Sequence, residues 1–152
     1  MSSDFIDDGA CFVCGKKNPS GLKLEFALDP VSGTAETELR FPRHLQGWKS
    51  IVHGGLVATV LDEVMIYAAG AAGFRCATGE ISVRYLKPVA TESPVRFRAR
   101  VTGRKSRLIT AEAEAVDVSG RTAARASGKL IIVEEETRGR TSGAEKPESG
   151  NQ

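Results

Sequence analysis

The sequence predicts an α+β domain: one long helix packed on an antiparallel sheet of about six strands. Three observations carry this reading. A single segment, 55–71, has apolar residues at helical spacing. The segments after it alternate at strand period and are separated by short turns. Hairpin centres chosen from turn residues alone then place opposite charges across from each other on neighbouring strands. One helix against one antiparallel sheet is a two-layer α+β design. The 152 residues suit one domain, and 41% hydrophobic with 26% charged residues is globular composition.

The elements follow in order. Leu22-Lys23-Leu24-Glu25-Phe26-Ala27-Leu28 alternates, with Leu22, Leu24, Phe26 and Leu28 on one face, and predicts a first strand. Asp29-Pro30-Val31-Ser32-Gly33 is a turn cluster. Thr34 to Phe41 is the second strand, stopped by Pro42. In the helix, Leu56, Val57, Val60, Leu61, Val64, Met65 and Ala68 form one apolar stripe. A second stripe, Gly55, Ala58, Asp62, Ile66 and Ala69, is small and apolar apart from Asp62. A carboxylate on such a stripe is costly unless partnered or used. Four strands follow: Thr78–Leu86, Val95–Thr102, Leu108–Val118 and Thr122–Val133. Centring the last hairpin on Ser119-Gly120 sets Glu114 opposite Arg125. Centring the preceding one near Lys105 sets Arg98 opposite Glu112 and Arg96 opposite Glu114. Arg96, Arg98 and Arg100 therefore read as a solvated, salt-laddered face. The folded domain is expected over 1–133. Residues 134–152 have no large apolar side chain and read as a disordered polar tail.

Charge and composition exclude several function classes. A formal net charge of +2 is too weak to argue for nucleic acid but suits an anionic small molecule. No run approaches the ~20 apolar residues of a membrane span. The first residues lack the pattern of a signal peptide, so a cytoplasmic protein is expected. Three cysteines, an odd number, point to free thiols.

The chemistry concentrates at His53-Gly54-Gly55, where the helix begins. Backbone N–H groups there have no intrahelical partner. Glycine lets a ligand approach closely, and the helix dipole adds positive potential. Such a donor, aimed at a developing oxyanion, contributes ~3–4 kcal/mol in acyl transfer. Asp62, two turns on, could attack a carbonyl or activate water against it. Taken alone, the same residues also fit a glycine-rich helix start with a capping role.

The segment from Gly47 through His53-Gly54-Gly55 to Asp62-Glu63 resembles the hotdog-fold acyl-CoA thioesterases, in particular the PaaI-like, phenylacetate-pathway branch. So does Thr78-Gly79-Glu80-Ile81-Ser82-Val83-Arg84-Tyr85-Leu86-Lys87-Pro88. Cys11-Phe12-Val13-Cys14-Gly15 with Asn18-Pro19 resembles the opening segment of a subset of these proteins. The resemblance implies a hotdog fold, a long helix wrapped by a curved antiparallel sheet. It also implies a homodimer or a dimer of dimers with sites between subunits, and an acyl-CoA substrate. Carried over residue by residue, it implies Asp62 as general base or nucleophile and the Gly54 N–H, with that of Gly55, as the group polarising the thioester. It implies His53 shaping the turn, and Thr78 holding water from the partner subunit. Gln46 is a looser match, because relatives carry an Asn six residues before the His. Trp48 is expected to pack near the site mouth, and Glu63 to be a surface, interface or substrate-side carboxylate.

No cofactor is expected. Cys11-x-x-Cys14 has zinc-knuckle spacing, but four ligands are needed and neither Cys76 nor His44 supplies a second pair by spacing; two knuckles meeting in a dimer would, but the pair reads first as a tight turn with buried thiols, and no metal is expected. Two other functions stay open: non-catalytic acyl-CoA binding, and a hydratase or dehydratase, which would need a His–acid pair at the acyl chain.

Overall fold

The computed structural model describes residues 4–135. Its elements are β1 (Ala27–Asp29), β2 (Thr34–Arg40), α1 (Gly54–Ala71), β3 (Phe74–Tyr85), β4 (Pro94–Lys105), β5 (Leu108–Asp117) and β6 (Thr122–Glu135), with a 3-10 turn over Arg43–Leu45. All strand pairings are antiparallel and the sheet order is β1-β2-β4-β5-β6-β3. One helix against one six-stranded sheet is the hotdog arrangement. β3 follows the helix in sequence but closes the sheet at its edge.

The apolar stripe of α1 becomes the core. Val57, Val60, Leu61, Val64, Met65 and Ala68 are buried against Val95, Phe97, Ile109 and Leu130 of the sheet. Full burial of a side chain of this size stabilises by about 1.5–3 kcal/mol. Phe97 meets Phe41 edge to face at 6.1 Å between ring centroids. Mean hydropathy over the 18 residues of α1 reaches 1.3, high enough for a membrane span. That value reflects a helix buried on its sheet side. The second stripe is only partly covered: Gly55 is exposed, Ala58, Asp62 and Ile66 are half-buried, and Ala69 alone is buried.

Three expectations are corrected. The first strand shrinks to Ala27–Asp29. Lys23 adopts φ +52 and breaks the extended run. The chain on either side of it is tied instead to the cysteine turn, through Leu22 N–H to Phe12 C=O at 2.8 Å and Leu24 N–H to Val13 C=O at 2.9 Å. The β4–β5 register is displaced by two residues: Arg98 faces Glu114 and Arg100 faces Glu112. The turn is centred on Ser106-Arg107, and a bulge between Val101 and Gly103 resets the count. A shift of two preserves the face, so the ladder survives with altered partners. Arg100 bonds Glu112, whereas Arg96 and Arg98 meet Glu36 across the β2 side. Glu114 does face Arg125, as expected. Finally, β6 continues past Val133. Glu134 pairs with Arg75 in register and through a 3.1 Å ion pair. Of the expected polar tail, residues 136–152 lie outside the described residues.

Candidate active site

The approach to α1 is strapped in place. Val52 N–H bonds Val89 C=O at 2.8 Å, and His53 N–H bonds Leu45 C=O at 3.0 Å. His53 caps the helix, its Nδ1 accepting from Gly55 N–H at 3.0 Å. That assigns the proton of the neutral ring to Nε2. It also takes Gly55 N–H out of the set available to a ligand. Gly54 N–H donates to no group among the described residues, so among the first N–H groups of the helix it alone is left open to a ligand. Tyr85 supports it from β3: its hydroxyl donates to Gly54 C=O at 2.6 Å. Its ring lies 3.4 Å from where a Gly54 Cβ would stand.

Asp62 is half-buried, and its Oδ1 accepts from the Thr78 hydroxyl at 2.7 Å. This answers the cost of a carboxylate on an apolar stripe. The bond forms within a single chain, whereas the resemblance implied Thr78 reaching the site from the partner subunit. Thr78 is aimed by a bulge. The β3–β6 register slips between Thr78 and Glu80, leaving Gly79 as the extra residue. A Cβ at Gly79 would stand 3.1 Å from Lys129 C=O, so the close approach of β3 to β6 requires glycine there.

The remaining expected residues fall elsewhere. The Gln46 side-chain carbonyl accepts from Ser50 N–H at 3.0 Å and shapes the loop before the helix. Trp48, on that loop, is 82% exposed, so it does not pack on its own chain. Glu63 turns away from Asp62 to the opening segment, where its Oε1 accepts from the Cys11 thiol at 3.6 Å. Cys14 sits beside it and beside the Tyr67 hydroxyl. Burial, with Glu63 adding to it, pushes the Cys14 thiol up to about 12. Burial likewise raises Tyr67, and it raises Cys76, on β3, to about 11. All three cysteines are free.

Tyr85 and the Glu63–Cys11 contact were not anticipated. Tyr85 could have been suspected from its place in the Arg84-Tyr85-Leu86-Lys87-Pro88 run; the 52-residue separation of Cys11 and Glu63 left no local signal. The constellation suits acyl transfer, with a fixed N–H donor and an oriented carboxylate. It does not suit a histidine working at carbon, because His53 is held as a cap and His44 lies exposed in the 3-10 turn. A broad concavity of about 1030 Å3 lies on the opposite, charged face of the sheet, among Arg84, Arg98, Glu114 and Arg125, away from both groups.

The thioesterase superfamily model matches residues 49–124. No curated protein matches the chain by sequence. Among solved structures, the Escherichia coli PaaI protein from the phenylacetic acid degradation operon is similar at TM-score 0.69. It is 18% identical, over 76% of this chain and 83% of that one. Streptococcus mutans smu.793, solved bound to acetyl CoA, also gives TM-score 0.69, with 14% identity over 75% of this chain and 91% of that one. The conserved Pseudomonas aeruginosa protein PA5202 gives 0.65, with 26% identity over 72% and 88%.

Proposed function

Because the chain belongs to the thioesterase superfamily, we propose that it hydrolyses acyl-CoA thioesters to the free acid and CoA, at a site built from two copies of the chain. The observation that carries this reading is the division of the catalytic groups. Gly54 N–H stands at the start of α1, and Asp62, oriented by Thr78, stands eight positions later. Eight residues of helix span ~12 Å. The free N–H groups of a helix N-terminus point out of that end, away from Asp62, so a carbonyl held on Gly54 N–H carries its carbon away from a water held by Asp62 of the same chain. The Gly54 N–H of one copy and the Asp62–Thr78 pair of another can meet at one carbon.

In that site the thioester carbonyl oxygen accepts from Gly54 N–H, and the helix dipole adds to the polarisation. Asp62 takes a proton from water as the water oxygen bonds to the carbonyl carbon. The tetrahedral oxyanion collapses, the carbon–sulfur bond breaks, and CoA leaves as thiolate, to be protonated. In the nucleophilic variant Asp62 itself bonds to the carbon, and water then opens the anhydride. Label in Asp62 after a single turnover in 18O-water would identify the nucleophilic route, in which water opens the anhydride at the aspartyl carbonyl. In a hypothetical thioesterase of Streptococcus pneumoniae, solved with coenzyme A, an aspartate and a threonine were each replaced by alanine. Those two residues have the same sixteen-residue separation as Asp62 and Thr78.

β3 is the edge through which two copies would join, as its outer side is unpaired among the described residues and Tyr85, with Leu86 just beyond the strand, is exposed. The free thiols suit a reducing, cytoplasmic setting. The reading is tested with a panel of acyl-CoAs, following thiol release and enoyl absorbance together. Thiol release that Asp62→Asn abolishes is expected. Binding without release, or a change in enoyl absorbance without thiol, would overturn it.

A further inference from the structure

We propose that Cys11, Cys14 and Glu63 form a zinc site that clamps the opening segment onto α1, with water as the fourth ligand. Their ligand atoms all lie within 4.8 Å of one another. The edge between Cys11 and Glu63 fits metal geometry. Tetrahedral zinc with Zn–S ~2.3 Å and Zn–O ~2.1 Å requires a sulfur–oxygen separation of about 3.6 Å, and Cys11 Sγ stands 3.6 Å from Glu63 Oε1. Two thiolates and a carboxylate are a donor set that zinc accepts.

The turn is shaped to hold both sulfurs on one side. Val13 N–H points at Cys11 Sγ at 3.4 Å, a bond that a thiolate strengthens. Gly15 N–H closes the turn on Cys11 C=O at 2.9 Å. A Cβ at Gly15 would lie 2.3 Å from Cys11 N, so no other residue can follow the second cysteine in this conformation. The third donor comes from the middle of α1. The site therefore ties residues 11–14 to the core helix, where otherwise Val13 and Leu24 are the only large apolar side chains buried from the described part of this segment. Loading displaces the two thiol protons as zinc–sulfur bonds form, with no change of oxidation state.

The test uses the full-length protein, stripped with a chelator under reducing conditions and titrated with zinc, then with cobalt(II) as a spectroscopic probe. One zinc per chain is expected, with thiolate-to-cobalt charge-transfer bands and the intense visible bands of four-coordination. The melting temperature should rise on zinc addition. Cys14→Ser should weaken zinc binding by more than the roughly 10–100-fold that loss of a supporting group costs, and should remove part of the charge-transfer intensity. Glu63→Gln, which keeps size and fold, should weaken binding while leaving both thiolate bands. Cys76→Ser, remote from the turn, should bind as the wild type does. The proposal is overturned if the wild type takes up no zinc at equimolar concentration. It is also overturned if Glu63→Gln or Cys14→Ser, folded by circular dichroism, binds zinc as tightly as the wild type.

Discussion

Asp62 and Glu63 are neighbours in sequence and have opposite surroundings. Asp62 reaches the edge strand β3 and is held by Thr78. Glu63 reaches the opening segment and meets Cys11. Successive helical residues diverge by about 100°, so one helix can present a reactive carboxylate on one flank and a structural one on the other. The two flanks also differ in what completes them. The Glu63 flank is covered by its own chain. The Asp62 flank belongs to the stripe left half-uncovered, and the account completes it with a second copy.

The largest expected effect lies on the Asp62 flank. Asp62→Asn should lower kcat by about 10²–10⁴-fold, the range of general acid–base catalysis, with the melting temperature little changed. Wild-type turnover in that variant would remove Asp62 from the mechanism. Thr78→Val should cost less. Losing a hydrogen bond to a charged group is worth ~1.5–3 kcal/mol, so kcat should fall about 10–100-fold, read by steady-state thiol release. On the Glu63 flank, Cys14→Ser should appear in stability, lowering the melting temperature by several degrees at ~2–4 °C per kcal/mol for a chain of this size. A larger effect there than at Asp62 on turnover itself would erase the distinction between the flanks.

The smallest effect is expected far from both, at Asp117. Lys87, then Ser119 and the Arg121 N–H, hold this carboxylate well below the usual range. A depressed folded value means that the contribution is present above the unfolded carboxylate range of about 4 and is lost as pH falls through the folded value. The small difference in melting temperature between wild type and Asp117→Asn should therefore be present at neutral pH and vanish on strong acidification. A difference that grew toward low pH would contradict the assignment.

Much of this was legible in the sequence for stated physical reasons. The helix announced itself through its apolar stripe, and a carboxylate on the second stripe had to be partnered or used. The charged face of the sheet survived a register error because parity is unchanged by a shift of two. What escaped depends on long-range geometry. No pattern in Leu22–Leu28 shows that Lys23 turns left-handed because the cysteine turn captures the chain. Thr78 was legible as a hydroxyl but not as a same-chain partner, since the Gly79 bulge decides where it points. The occupation of Gly55 N–H by His53 was equally invisible, and it leaves Gly54 N–H as the open donor on which the proposed site rests.

The central claim, that Gly54 of one copy serves Asp62 of another, is tested by mixing two inactive chains. Gly54→Pro removes the N–H at the first helical position, where proline is well tolerated. Asp62→Asn removes the carboxylate. Each chain alone should be inactive. If two copies form a two-fold dimer, co-expressed chains carrying different tags should recover about a quarter of wild-type activity, since half the dimers are mixed and each holds one intact site. Asp62→Asn mixed with Thr78→Val should show no such gain, because those residues act within one chain. Failure of the first pair to recover in isolated mixed dimers, or full activity in a monomer by light scattering, would contradict the shared site.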